Sequence, residues 1–234
     1  TLQAKRGSIE IDATGDVETM GVLRAKTLTE SAASFRIGGV YSVASSTHDN
    51  LDHAITFSAS TTLDGDEDGT GVDGIISDTS DTENIIIDAG VALTLASDFT
   101  FIADSDGNGT GSFQMAQTAE IAGGGHNLTL KASGSSTIGK VTGVKDLALY
   151  SQNGSATYQV RNSVTLSGDL TVNTNVTLTG GYSVTVGGGD VTGDGTINMT
   201  GGTFTVIGNG TFGGSKDWTF WELYFGDGTT EGAT

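Results

Sequence analysis

The residues of this chain most suited to chemistry are aspartates spaced two apart on glycine turns. Asp64, Asp66 and Asp68 precede Gly69, and Asp104, Asp106 and Asn108 precede Gly109. Alternating side chains on such a turn can converge their oxygens on one point. Ca²⁺ takes roughly 6–8 oxygens at about 2.3–2.6 Å, so calcium is the cofactor these loops point to. Both begin as oxygen-ligand loops do. Neither carries the bidentate Glu that ends an EF-hand loop; Ile75 and Met115 stand in its place. Asp73 is placed to complete the first set. The competing reading is an acidic turn held by its own hydrogen bonds, common wherever Asp and Gly cluster.

Other chemistry has weaker support. His48 and His53 lie near Asp49 and Asp52, but no H-x-H or H-E-x-x-H spacing accompanies them or His126. Serines are many, yet no G-x-S-x-G turn presents one as a nucleophile. The basic residues are scattered, and carboxylate pairs follow from composition alone. The chain therefore reads as a non-enzyme, with a polysaccharide-degrading solenoid as the remote alternative. Six N-x-[ST] sequons, at Asn108, Asn127, Asn153, Asn175, Asn198 and Asn209, are what frequent Ser and Thr produce by chance. Asn at equivalent turns would instead stack into ladders. The aromatic segment Trp218-Thr219-Phe220-Trp221-Glu222-Leu223-Tyr224-Phe225 cannot turn every ring inward, because neighbouring residues of a strand face opposite ways. Phe220, Leu223 and Phe225 are assigned to the core. Trp218, Trp221 and Tyr224 are the candidate interface or glycan platform.

Composition limits the partners. Of 234 residues, 28 are acidic and 10 basic, a formal charge of −18 that repels nucleic acid and anionic membrane surfaces. No apolar run approaches the roughly 20 residues of a membrane helix, so no membrane insertion is expected. Cysteine and proline are absent, leaving 37 glycines to make the turns. The chain begins at Thr1 with no signal h-region, which reads as a processed chain or a piece of a longer one.

The elements that hold these residues are strands. Helical periodicity is nearly absent; its best candidate, Glu18 to Ser34, shows no clean 3.6 period. Leu128-Thr129-Leu130, Val184-Thr185-Val186 and Phe204-Thr205-Val206 alternate apolar residues with threonine, the mark of a half-buried strand. Glycine clusters separate them. The pairs Leu128/Leu130, Leu147/Leu149, Val164/Leu166, Val184/Val186, Phe204/Val206 and Leu223/Phe225 recur at steps of roughly 20 residues, the kind of fixed period that marks a repeat architecture. A looser series, Phe35/Ile37, Ile55/Phe57, Ile75, Leu93/Leu95 and Phe113/Met115, precedes them. Such a step predicts an all-β, parallel β-helix-like solenoid whose coils stack at about 4.8 Å. The alternative is a β-sandwich or jelly roll. Residues 1–60 repeat poorly and read as an N-terminal cap or linking arm, and 61–234 as the repetitive body.

The runs Ser167-Gly168-Asp169-Leu170-Thr171-Val172 and Gly195-Thr196-Ile197-Asn198-Met199, with the aromatic segment through Thr230, resemble filamentous-haemagglutinin and autotransporter-type β-helix repeats of long bacterial surface proteins. The resemblance covers residues 128–230 and implies a surface-exposed, non-catalytic solenoid. The expected function is an extracellular or cell-surface structural subunit whose copies join head to tail into a filament, sheath or layer. The alternative is an adhesin or fibre domain that binds glycans.

Overall fold

A strand of alternating apolar and threonine residues has one dry face and two unpaired backbone edges. Alone it can seal neither. In the computed structural model the chain solves both problems by coiling. The structure describes all residues except 1, 14–15, 32–33, 49–53, 66–73, 79–83, 227–230 and 233–234. The described residues form strands and turns with no helix, in a parallel β-solenoid of about 9 turns with a coil step of about 21 residues. Asp16–Thr19 and Val22–Ser31 are strands where the best helical candidate lay.

Each coil gives one strand to each of three parallel sheets, here called the first, second and third faces. For residues 176–192 these strands are Val176–Gly180, Val184–Val186 and Val191–Thr192. They stack in register on Ala156–Val160, Val164–Leu166 and Leu170–Val172. The parallel pairing rules out the sandwich. The ladder extends into the N-terminal segment: Ser34–His48 pairs in parallel with Val22–Ser31 behind it, and with Ile55–Asp64 and Gly74–Asp78 ahead. Coil length varies along the rod. On the first face Val17 is the partner of Phe35, Ile55 of Ile85, and Ile85 of Phe113, so the coils are longest between Ile55 and Phe113. Further on, Ser136 is the partner of Tyr158, Tyr158 of Leu178 and Leu178 of Ile197, and the step becomes shorter and nearly even. At about 4.8 Å per coil the rod is about 45 Å long.

The periodic pairs do not all share a face. Val184/Val186, Phe204/Val206 and Leu223/Phe225 stack on Val164/Leu166 down the second face. Leu128/Leu130 and Leu147/Leu149 belong to the third face, where the next pair is Leu170/Val172. Every strand of a coil carries the same apolar–Thr–apolar pattern, so the pattern shows the step and hides the face. Parity also corrects one position: Ile76, not Ile75, points inward.

The core is sealed along the body. Leu149, Tyr158, Val172, Val186 and Ile197 are fully buried, and Phe57, Phe99, Phe101 and Phe113 are no more than 1% exposed. The four phenylalanines form one contact chain, with ring centroids 5.2–6.0 Å apart, in the coils where the step is longest. Between faces the chain bends at glycines. At Gly193 (φ 116°) an added Cβ would lie 2.0 Å from the Val172 carbonyl of the coil below, so the close approach of coils itself requires glycine.

Only the ends open. At the N-terminal end Ile9, Ile11 and Val17 are half-buried, Met20 is 47% exposed, and Ile11, Val17, Met20 and Leu23 line an open cleft of about 340 Å³. At the C-terminal end Phe212, Trp218, Phe220, Leu223 and Phe225 pack on the core but remain half-buried, as no described coil lies on them. A short antiparallel strand, Glu231–Gly232, pairs with Phe225 and Gly226.

Candidate functional site

Three groups of side chains could form a site, and the structure treats each differently. The first is the pair of acidic loops. Asp64 ends the strand Ile55–Asp64, whereas Asp66, Asp68 and Asp73 lie outside the described residues. The second loop follows the strand Phe99–Ala103. Asp104 is fully buried at φ 81°, and the Gly109 N–H donates to both its carboxylate oxygens, at 3.1 and 3.2 Å. Asp106 accepts the Asn108 backbone N–H at 2.9 Å and its side-chain amide at 3.2 Å. Asn108 Oδ1 in turn accepts the Thr110 N–H at 3.0 Å and its hydroxyl at 2.6 Å. These are successive Asx turns. The oxygens accept hydrogen bonds from donors of their own loop, which hold the turn in shape. Among the described residues no three His, Asp or Glu side chains gather closely enough to hold a metal ion. His53 and the side chain of His48 lie outside the described residues; His126 Nδ1 sits 3.6 Å from Asp98.

The second group is one that sequence reasoning passes over. Where the second face turns into the third, an Asp or Asn immediately precedes the strand in five successive coils: Asp98, Asn127, Asp146, Asp169 and Asp190. Each side chain accepts the backbone N–H of its counterpart one coil on. Asp98 takes Asn127 at 2.8 Å, Asn127 takes Asp146 at 3.3 Å, Asp146 takes Asp169 at 2.9 Å and Asp169 takes Asp190 at 3.1 Å. Asp190 closes the ladder on Thr211 N–H. Glycine makes the room. A Cβ on Gly168, Gly188 or Gly210 would come within 2.0–2.4 Å of the Asp146, Asp169 or Asp190 Oδ1. The ladder therefore satisfies, with side chains, a row of corner N–H groups. Its signal is present in the sequence as [DN]-apolar-x-apolar, in Asp98-Phe99-Thr100-Phe101, Asn127-Leu128-Thr129-Leu130 and Asp169-Leu170-Thr171-Val172. Asn127, one of the sequons, spends its amide on Asp98 at 2.7 Å.

The third group is the aromatic segment. Trp218 donates its indole N–H to the Gly195 carbonyl at 3.0 Å and stands edge-on to Phe212, centroids 5.3 Å apart. Phe220 packs on Phe204 at 4.9 Å, and Phe225 on Phe212 at 4.8 Å. Trp221 is 75% exposed on the corner between the first and second faces, and Tyr224 points outward at 38%. Between these two, Glu222 accepts the Thr203 hydroxyl at 2.7 Å and the Tyr224 hydroxyl at 2.9 Å. Those bonds hold its carboxyl below the usual range. The structure thus brings Trp221, Glu222 and Tyr224 together on the surface and draws Trp218 into the terminal layer.

Protein-family models, curated proteins and solved structures give no match to this chain, so the geometry of this parallel β-solenoid carries the functional argument.

Proposed function

We propose that this chain is a structural subunit of an extracellular filament, sheath or surface layer, whose copies join end to end through their open coils. One observation carries the reading. The core of the described residues is closed along the rod and opens at both of its ends. The C-terminal end offers half-buried Phe212, Phe220 and Phe225, and the N-terminal end a cleft where Ile11, Val17 and Met20 meet Glu18 and Thr19. Strands within each face run parallel, so a second copy stacked on the end extends the faces in the same sense. The joint is head to tail, does not close on itself, and so propagates. The antiparallel Glu231–Gly232 strand covers two residues of the last edge, the kind of guard that keeps edges from pairing indiscriminately. The resemblance of residues 128–230 to filamentous-haemagglutinin and autotransporter-type repeats supports the extracellular setting. Calcium enters as a counter-ion that screens the −18 charge of neighbouring copies.

Negative-stain electron microscopy with sedimentation, in calcium and then in chelator, tests this. Rods in multiples of about 45 Å are expected. A charge in the cleft, Val17→Asp, should shorten them to single units. Monodisperse particles of one unit length in both conditions would rule the assembly out.

A further inference from the structure

We propose that the corner between the first and second faces is a binding strip for a neutral, linear polysaccharide, with Tyr182 and Trp221 as its stacking platforms. Val184, Phe204 and Leu223 are in register down the second face. Tyr182, Gly202 and Trp221, each two positions earlier, therefore hold the same corner position in three successive coils. Two coils separate the aromatics by about 10 Å along the axis. Gly202, between them, adds no side chain. Tyr182 is 41% exposed and Trp221 75%.

The strip is ordered, not a pair of loose rings. The Tyr182 hydroxyl accepts a hydrogen bond from Gln117 Nε2 at 2.6 Å, three coils toward the N-terminal end. That bond draws the ring along the rod and leaves one side of it to solvent. Asn162, in the nearer of the two coils between, donates its amide to the Gln117 carbonyl at 2.9 Å. At the other platform, the Thr203 and Tyr224 hydroxyls fix the Glu222 carboxylate.

This is the chemistry a sugar chain needs. A pyranose presents an apolar C–H face that lies on an aromatic ring, and hydroxyls around its edge that need fixed donors and acceptors. Platforms repeated along the axis suit an extended chain running along the rod. The −18 charge repels anionic polysaccharides and leaves neutral ones. The strip lies on the side of the rod, so dispersed single copies bind too. A failure here leaves end-to-end joining untouched.

The test uses the full chain with cellohexaose, laminarihexaose and chitohexaose as neutral probes, and hexagalacturonate as the anionic one, read by calorimetry and tryptophan fluorescence. The chain has 2 tryptophans, and Trp218 is packed, so Trp221 reports the strip. A neutral hexaose should bind and change the fluorescence, and hexagalacturonate should not. Trp221→Ala and Tyr182→Ala should each weaken binding about tenfold, the worth of one aromatic contact. Tyr182→Phe, which loses the tie to Gln117, should weaken it about threefold. Circular dichroism checks that each variant folds as the parent does. Absence of binding by all three neutral probes overturns the proposal. So does unchanged affinity in both Ala variants, or a preference for hexagalacturonate.

Discussion

The corner between the second and third faces and the corner between the first and second are built from the same coils, yet one encloses its side chains and the other leaves them largely in solvent. At the acidic corner Asp146, Asp169 and Asp190 turn along the axis and spend an oxygen on the N–H of the next coil. Glycines beneath them leave space for nothing else. At the aromatic corner Trp221 stands 75% exposed, Tyr182 reaches along the rod to Gln117 with its ring still 41% exposed, and Gly181 has no atom within 4 Å of where a Cβ would stand. Aspartates at one corner hold the coils together, whereas rings at the other face solvent. Acidity at a turn is therefore weak evidence of a metal or catalytic site when each corner N–H needs an acceptor.

The largest test of that contrast is a pair of glycine substitutions. Gly188→Ala forces a Cβ to 2.4 Å from Asp169 Oδ1 and 2.6 Å from the Gly168 carbonyl carbon. It should destabilise by about 2–3 kcal/mol in chemical denaturation. Gly181→Ala, on the other corner, should be neutral or stabilise by about 0.5 kcal/mol, because it only restricts the unfolded chain. Equal losses at both sites would erase the distinction.

Next in size is removal of a rung. Asp169→Ala leaves the Asp190 N–H without its acceptor and should lose about 1–2 kcal/mol. Asp169→Asn keeps an oxygen there, as Asn127 does naturally, and should stay within about 0.5 kcal/mol of the parent. A loss in Asn as large as in Ala would mean that the charge, not the acceptor, holds the corner.

A smaller effect is expected with pH. The Thr142 hydroxyl, at 2.8 Å, and then Lys140, at 3.2 Å, hold the Glu120 carboxyl below its ordinary value of 4.5. A lowered folded pKa stabilises above the unfolded value. That contribution is full above pH 4.5 and is lost as pH falls through the lower folded value. Glu120→Gln should flatten the part of the stability curve below pH 4.5 and leave the neutral region nearly unchanged, since the group is partly exposed to solvent. The smallest stability effect belongs to the aromatic corner. Trp221→Ala should change unfolding by less than about 0.5 kcal/mol, because little of the ring is buried. A larger loss would place Trp221 in the packing of the terminal layer with Trp218.

Some of this is legible residue by residue. Phe220 packs inward on Phe204 and Trp221 faces solvent, as strand alternation anticipates, but what exposes Trp221 is the bend between two faces on which it sits. The repeat step is readable from Val184, Phe204 and Leu223, which share one face. It misleads at Leu147 and Val164, since strands of different faces carry the same pattern and only turn length assigns them. The Asp104 loop announces itself by its spacing. That its oxygens reach the Gly109 N–H is not legible there, because it depends on the backbone turning to φ 81° at Asp104.

Strand formation and repetition are thus written into the sequence directly. Period-two alternation and glycine turns are local properties, set by which side of a strand a residue occupies and where φ can turn positive. Which residues become neighbours one coil away is settled only when the chain is coiled. Asp169 meets Asp190, and Tyr182 lines up with Trp221, through the register of the strands beside them, and register depends on the lengths of all three turns in a coil. Contacts across roughly 20 or 40 residues are the sum of those lengths, which no local pattern encodes.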